Sequence, residues 1–290
     1  MKKILAKQLL CLATFLTPLT ASADCAPAAK TKPFYLTGSL AFTTDYLFRG
    51  QTQTFGRPAV QGGLEASLYE KNTPLVGVWA SNISSTEFSN SDGLEFDAYF
   101  GYKHEFTSDL SAKILAYWYL YPGAKSNPAT IDPNANLGFL GGDVRNDNYN
   151  AMELIPSVSW KWFTATFAYS VTDKSGINGN FAPGWQLNPN GNSRGSWYLE
   201  GAGRFPLFDS GVALNVVYGY QKVHHYSKLS YSNYGASLDW TTPDDWYALN
   251  LKVGVSSTDN DDKYYTVTNG QGDRKDIGRT VGYFTITKSF

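Results

Sequence analysis

The chain has 290 residues, with 24 Lys and Arg against 25 Asp and Glu, for a formal net charge of −1. That balance leaves no basic footprint for nucleic acid, and the negative mean hydropathy excludes a helical membrane protein. Aromatic residues make up 16% of the chain, with 20 Tyr and 27 Gly but only 2 Cys. This is the composition of an exported β-barrel rather than of a disulfide scaffold.

The chain opens with Lys2 and Lys3, a mostly apolar run over 4–19, and then Ala21-Ser22-Ala23. Together these predict a secretory signal peptide over 1–23, cleaved at about Asp24. Cys25 raises a lipoprotein reading, but Asp24 stands before it and no Leu lies three positions upstream. Cys11 leaves with the signal, so the mature chain has one Cys and no internal disulfide. The segment 24–34 reads as a short periplasmic lead-in.

From there the chain alternates in period two, the signature of strands with one face apolar and the other polar. The first strand is predicted over 35–49, with Leu36, Leu40, Phe42, Tyr46 and Phe48 on one face. Eleven more follow over 59–69, 75–82, 94–106, 110–121, 149–160, 162–172, 196–205, 212–223, 234–240, 246–256 and 280–290. The clearest is 110–121, where Leu110, Ala112, Ile114, Ala116, Trp118 and Leu120 oppose Ser111, Lys113, Tyr117 and Tyr119.

The connections alternate between long and short, as they do in outer-membrane barrels. The long ones include 122–148, 173–195 and 257–279. Aromatic residues collect at the short-turn ends: Tyr69, Tyr102, Phe106, Trp160, Trp162, Phe205, Trp240, Trp246 and Phe290. That is the pattern of an interfacial girdle. The strands have the length a tilted strand needs to cross a bilayer. The fold expected over 35–290 is all-β, an antiparallel transmembrane β-barrel of 12 strands in the bacterial outer membrane. Its terminal Phe290 resembles the signal by which such barrels are recognised for assembly. Outer-membrane lipid, periplasmic chaperones and the barrel-assembly machinery are then the expected partners.

Early in the barrel the motifs become distinctive. Thr44-Asp45-Tyr46-Leu47-Phe48-Arg49-Gly50-Gln51-Thr52-Gln53 leads to Pro58-Ala59-Val60-Gln61-Gly62-Gly63-Leu64. Trp79-Ala80-Ser81-Asn82, Glu95-Phe96-Asp97-Ala98-Tyr99-Phe100-Gly101-Tyr102 and Tyr121-Pro122-Gly123 follow. This third of the mature chain resembles the TorF family of outer-membrane porins. The resemblance implies a barrel and a porin, and no particular substrate.

Residues that carry chemistry are sparse, and no cofactor, metal or catalytic group is expected. His224 and His225 lie with Ser227 in a loop, and His104 sits at the short-turn end of its strand. A nucleophile needs a base within reach and a group to orient that base, and a solvated loop is the plainer reading. Asp259, Asn260, Asp261 and Asp262 lack the spacing of a Ca²⁺ loop. Gly141-Gly142 and Gly201-Ala202-Gly203 precede no helix, so they are not phosphate cradles.

The lumen is more informative. The residues expected to face it are Asp45, Arg49, Glu65, Glu95, Asp97, Lys103, Lys113, Glu153, Glu200, Arg204, Asp239 and Lys252. Charges of this kind avoid acyl chains and face water or one another. The expectation is a passive channel for small polar solutes or ions. The close pair Glu95 and Asp97 would make it weakly cation-selective. A barrel plugged by paired side chains, a barrel hydrolase or lipid-modifying enzyme, and a structural or adhesive barrel acting through its extracellular loops are the alternatives.

Overall fold

The computed structural model describes residues 35–88, 91–124, 148–172, 193–244, 247–269 and 271–290. The signal peptide, the lead-in, Cys25, Gly141-Gly142, Asp245, Trp246 and most of the loops 122–148 and 173–195 lie outside the described residues.

In chain order the strands are β1 Tyr35–Thr43, the short pair β2 Leu47–Phe48 and β3 Gln51–Thr52, β4 Ala59–Ser67, β5 Thr73–Asn82, β6 Leu94–Glu105, β7 Leu110–Leu120, β8 Ala151–Trp160, β9 Phe163–Ser170, β10 Trp197–Leu207, β11 Val212–Lys222, β12 Tyr231–Thr241, β13 Leu249–Thr258, the short pair β14 Thr266–Thr268 and β15 Arg274–Asp276, and β16 Val281–Ser289. Twelve of these close into one barrel, each antiparallel to both neighbours. The two short pairs form separate two-stranded sheets in the long connections.

The local cause is the alternation itself. In β6, Leu94, Phe96, Phe100 and Tyr102 point out while Glu95, Asp97, Tyr99 and Lys103 point in. The exposures are inverted relative to a water-soluble sheet: Phe100 is 57% exposed and Asp97 is 0% exposed. The same inversion runs round the outside through Leu36, Leu40, Val60, Val76, Ile114, Val158, Leu199 and Val253. In water each such side chain would forgo about 1.5–3 kcal/mol of burial. Against hydrocarbon nothing is forgone, so this outer face is built for lipid.

Rings mark both rims of that face. Tyr69, Tyr102, Phe106, Trp160, Trp162 and Phe290 are exposed at the short-turn end. Tyr169, Tyr218 and Tyr234 are exposed toward the long-loop end and form the second girdle. Pro156 sits within β8 without shifting its register to β9, since Leu154 pairs Tyr169 and Ser157 pairs Thr166. Its missing N–H falls in the gap between those pairs.

The barrel closes where β1 meets β16, from Ser39 opposite Ser289 to Thr43 opposite Thr285. Gly38 and Phe290 extend the seam by exchanging both backbone bonds, Gly38 N–H to Phe290 O at 2.8 Å and Phe290 N–H to Gly38 O at 3.0 Å. The Phe290 ring covers Gly38 so closely that a Cβ there would collide with it.

Three boundaries differ from the sequence expectation by three residues or more. The first strand ends at Thr43 rather than Arg49. The Thr43 hydroxyl donates to the Asp45 carbonyl at 2.9 Å, which bends the chain off the wall. The strand expected from 234 begins at Tyr231, and the one expected from 246 begins at Leu249. The core lies inside the barrel at its long-loop end, where Tyr46, Phe48, Trp79, Phe88, Tyr99, Tyr117, Tyr119, Tyr121 and Tyr149 pack together.

Candidate functional site: the barrel interior

After Thr43 the chain turns into the lumen. Leu47 pairs Thr52 and Phe48 pairs Gln51, leaving Arg49 and Gly50 as a two-residue turn. Both have positive φ, 49° and 81°. That is the type I′ geometry that matches the twist of a tight hairpin. Gly suits such a backbone without strain, and its small size is also needed: a Cβ on Gly50 would lie 2.7 Å from Asn233 Cβ and 2.8 Å from Thr258 Cγ2.

This hairpin springs from the wall between β1 and β4, and its tip reaches the far side. Arg49 donates through both Nη atoms to the Glu153 carboxylate, at 3.1 and 2.6 Å, and through Nη1 to Gln221 Oε1 at 2.8 Å. Glu153 belongs to β8 and Gln221 to β11, each four strands from the hairpin's root. The guanidinium also lies over the Phe48 and Tyr198 rings, 4.7 and 4.4 Å from their centroids. Glu153 accepts a further bond from the Tyr119 hydroxyl at 3.0 Å. The Tyr198 hydroxyl joins Glu200 at 2.7 Å and Asn233 at 2.9 Å. A buried ion pair with its remaining lone pairs bonded in this way is costly to break from one side.

The rest of 44–58 seats the hairpin. Asp45 Oδ1 accepts the Thr52 and Thr54 hydroxyls at 2.5 and 3.0 Å. Burial pushes the Asp45 carboxyl above its ordinary range, and those hydroxyls, with Arg279 and Lys275, hold it back. Tyr46 packs edge-on against Trp79, and Phe48 against Tyr119. Thr52 N–H bonds the Ile277 carbonyl at 2.8 Å, and Lys275 Nζ bonds the Phe55 carbonyl at 2.5 Å. Tyr265 reaches the Leu229 carbonyl at 2.5 Å. Phe88, Leu229, Tyr265 and Ile277 are buried beneath these contacts. The long-loop end is thus a packed cap.

The predicted lumen residues divide by level. Asp45 and Arg49 are on the inward segment and not on the wall, because the strand ends before them. Glu95, Asp97, Glu153 and Glu200 are on the wall beneath the cap and are buried. Tyr121 donates to Glu95 at 2.9 Å and Tyr117 to Asp97 at 2.9 Å. Glu95 and Asp97 are 1% and 0% exposed, so an ion in solution does not meet them. The cation preference drawn from that pair therefore loses its basis.

Toward the short turns the wall stays partly open. Glu65, Lys103, Lys113, Arg204 and Lys252 are half-buried there, together with Glu105, which the sequence reading missed. Glu105 follows Lys103 on the same inward face, so the alternation rule alone would have found it. Arg204 pairs with the buried Asp239 at 2.6 Å, which Asn250 and Asn215 also bond. Glu105 accepts Lys103 at 2.9 Å and Lys71 at 3.2 Å.

The residues singled out for chemistry serve structure. Ser227 opens a short 3-10 helix over Ser227–Leu229, it is exposed as are His224 and His225, and the His224 backbone N–H donates to the Ser196 hydroxyl at 2.9 Å. His104 packs edge-on to Phe106. Asp259 accepts the Ser232 N–H, and Asn260 bonds Asp276. Among the described residues no group of three or more His, Cys, Asp or Glu converges on a metal position.

A family described as "Bacterial protein of unknown function (Gcw_chp)" matches residues 27–290. The chain belongs to that family. The Gcw_chp match takes in all twelve barrel strands and the inward hairpin. The motifs that resemble the TorF family fall within it, and TorF remains a resemblance. No curated protein matches. Among solved structures, the Gcw_chp chain is similar to a KdgM porin at 7% identity and TM-score 0.45, over 88% of this chain and 98% of that one. A KdgM porin in complex with disordered oligogalacturonate gives 8%, 0.43, 88% and 99%. The outer membrane protein OprD from Pseudomonas aeruginosa gives 12% and 0.37, over 91% of this chain and 66% of that one. None of these three TM-scores reaches 0.5, and the architecture stands on this chain's own strand pairing.

Proposed function

We propose that the protein is an outer-membrane, porin-like channel for small polar solutes, with its short turns in the periplasm and its long-loop end narrowed by the inward hairpin. One observation carries the reading: half-buried charges line the inner wall on the short-turn side of a barrel whose outside is apolar. Lys113 and Lys252 have no acid within salt-bridge distance among the described residues. Such groups call for water in the lumen. An enzymatic reading has less support, since Ser227, His224 and His225 stand on an exposed loop and the two other signals, the acidic loop and His104, hold local contacts.

The test is reconstitution of the folded barrel in a planar bilayer. Small, stepwise conductance is expected, limited by the hairpin. Silence from protein shown to be folded by its heat-modifiable mobility would overturn the channel reading and favour a barrel that acts through its outer loops.

A further inference from the structure

The charges that water reaches are of one predominant sign. On the half-buried wall stand four cations, Lys103, Lys113, Arg204 and Lys252, against two acids, Glu65 and Glu105. The acids that would reverse this balance, Glu95, Asp97, Glu153 and Glu200, are buried at the cap end. Asp239, also buried, is held by Arg204.

Two of the cations face each other. Lys103 on β6 pairs directly with Lys113 on β7, both on the inner face. Like charges at such a cross-strand position are destabilising, with Cβ atoms about 4.5–5.5 Å apart. Glu105 does not relieve the pair fully. Its two oxygens go to Lys103 and Lys71, so Lys71, Lys103, Lys113 and Glu105 together keep an excess of positive charge. Lys113 itself has no salt-bridge partner among the described residues, and Ser157 stands opposite it on β8. Two half-buried ammonium groups on one wall, with the buried Ser157 hydroxyl beside them, make a cradle for an oxyanion.

We infer that Lys103 and Lys113, with Ser157 beside them, form an anion subsite in the short-turn half of the lumen, and that the solutes which pass carry a carboxylate or phosphate group. The inference rests on the channel reading for its role in permeation, but the subsite itself does not.

The experiment compares wild type with Lys103→Gln and Lys113→Gln, each checked for folding by heat-modifiable mobility. Gln removes a like-charge contact and keeps most of the side-chain volume, so the barrel is expected to fold. In a KCl gradient the wild-type reversal potential is expected on the chloride side, moving toward zero in Lys113→Gln. The preference should also fade as salt shortens the screening length. Inorganic phosphate added to the bath is expected to reduce the chloride current of the wild type, and this block is lost in both variants. A cation-selective wild type, or a phosphate block that survives both substitutions, overturns the subsite and leaves the channel standing. If folded barrels carry no current, the channel reading fails instead. Calorimetric titration of the detergent-folded barrel with phosphate then decides the subsite: binding heat lost in Lys113→Gln supports it, and no heat in the wild type overturns it.

Discussion

Arg49 shows how one residue sets the lumen. It is a buried cation at positive φ, a position where a non-Gly backbone costs of order 1–3 kcal/mol and persists only when its surroundings hold it. What holds it is the bidentate contact with Glu153 and the bond to Gln221 on the opposite wall. Replacing Arg49 by Met leaves Glu153 buried without its cation, a change worth about 3–5 kcal/mol against the seated hairpin. The hairpin is not part of the wall, so the barrel is expected to fold while its conductance rises. Arg49→Met combined with Glu153→Gln removes both charges. The double variant is expected to be more stable than the single one, yet still to conduct more than wild type, because the tie across the lumen is gone. Unchanged single-channel conductance in both folded variants would show that the hairpin does not limit passage.

At the scale of the element, the barrel strands were legible because lipid outside and polar interior impose period two on every one of them. The hairpin was not. Tyr46 and Phe48 continue the apolar parity of Leu40 and Phe42, so counting assigns them to the lipid face. The bend after Thr43 turns the same parity into the lumen, where Tyr46 meets Trp79 and Phe48 meets Tyr119. Alternation gives the face of a residue only while the strand runs straight. The final strand could be read to its last residue, and its function in closure is visible in the seam. Deleting Phe290 removes both backbone bonds to Gly38 and the ring that covers it. Reduced folded barrel in the outer membrane is the expected outcome, measured by heat-modifiable band intensity. Gly38→Val keeps the terminal Phe but displaces its ring. A loss of folded barrel there too would assign Phe290 a packing role in closure beside any role in recognition. Full folding of Gly38→Val would show that the Phe290 ring is not needed for closure.

Over the whole molecule the charges are sorted along the barrel axis, and this was hidden in the sequence because parity carries no depth. Glu95 and Lys103 share a strand and a face, yet one is buried under the cap and the other is half-buried near the turns. Their difference in depth, four residue pairs along one strand, could have been counted from the turns, but the cap that buries the upper level could not. The sorting has a direction only if the two ends face different compartments. Short turns are periplasmic in barrels of this kind and long loops face outward, so the cap is expected outside and the lysine wall inside. Epitope insertion separates the two orientations, provided the insertion spares the cap. Much of 257–279 is unsuitable, since Tyr265 and Ile277 are buried there and Lys275 bonds Phe55. Gly272 is the better position: it lies in the turn between β14 and β15, and a Cβ built on it meets nothing within 4 Å. At the other end Ser210 lies in the exposed turn between β10 and β11. A tag at Gly272 is expected to bind antibody on intact cells, and a tag at Ser210 only after the envelope is broken. The reverse pattern would place the cap in the periplasm and the basic vestibule outside, where it would meet solutes first.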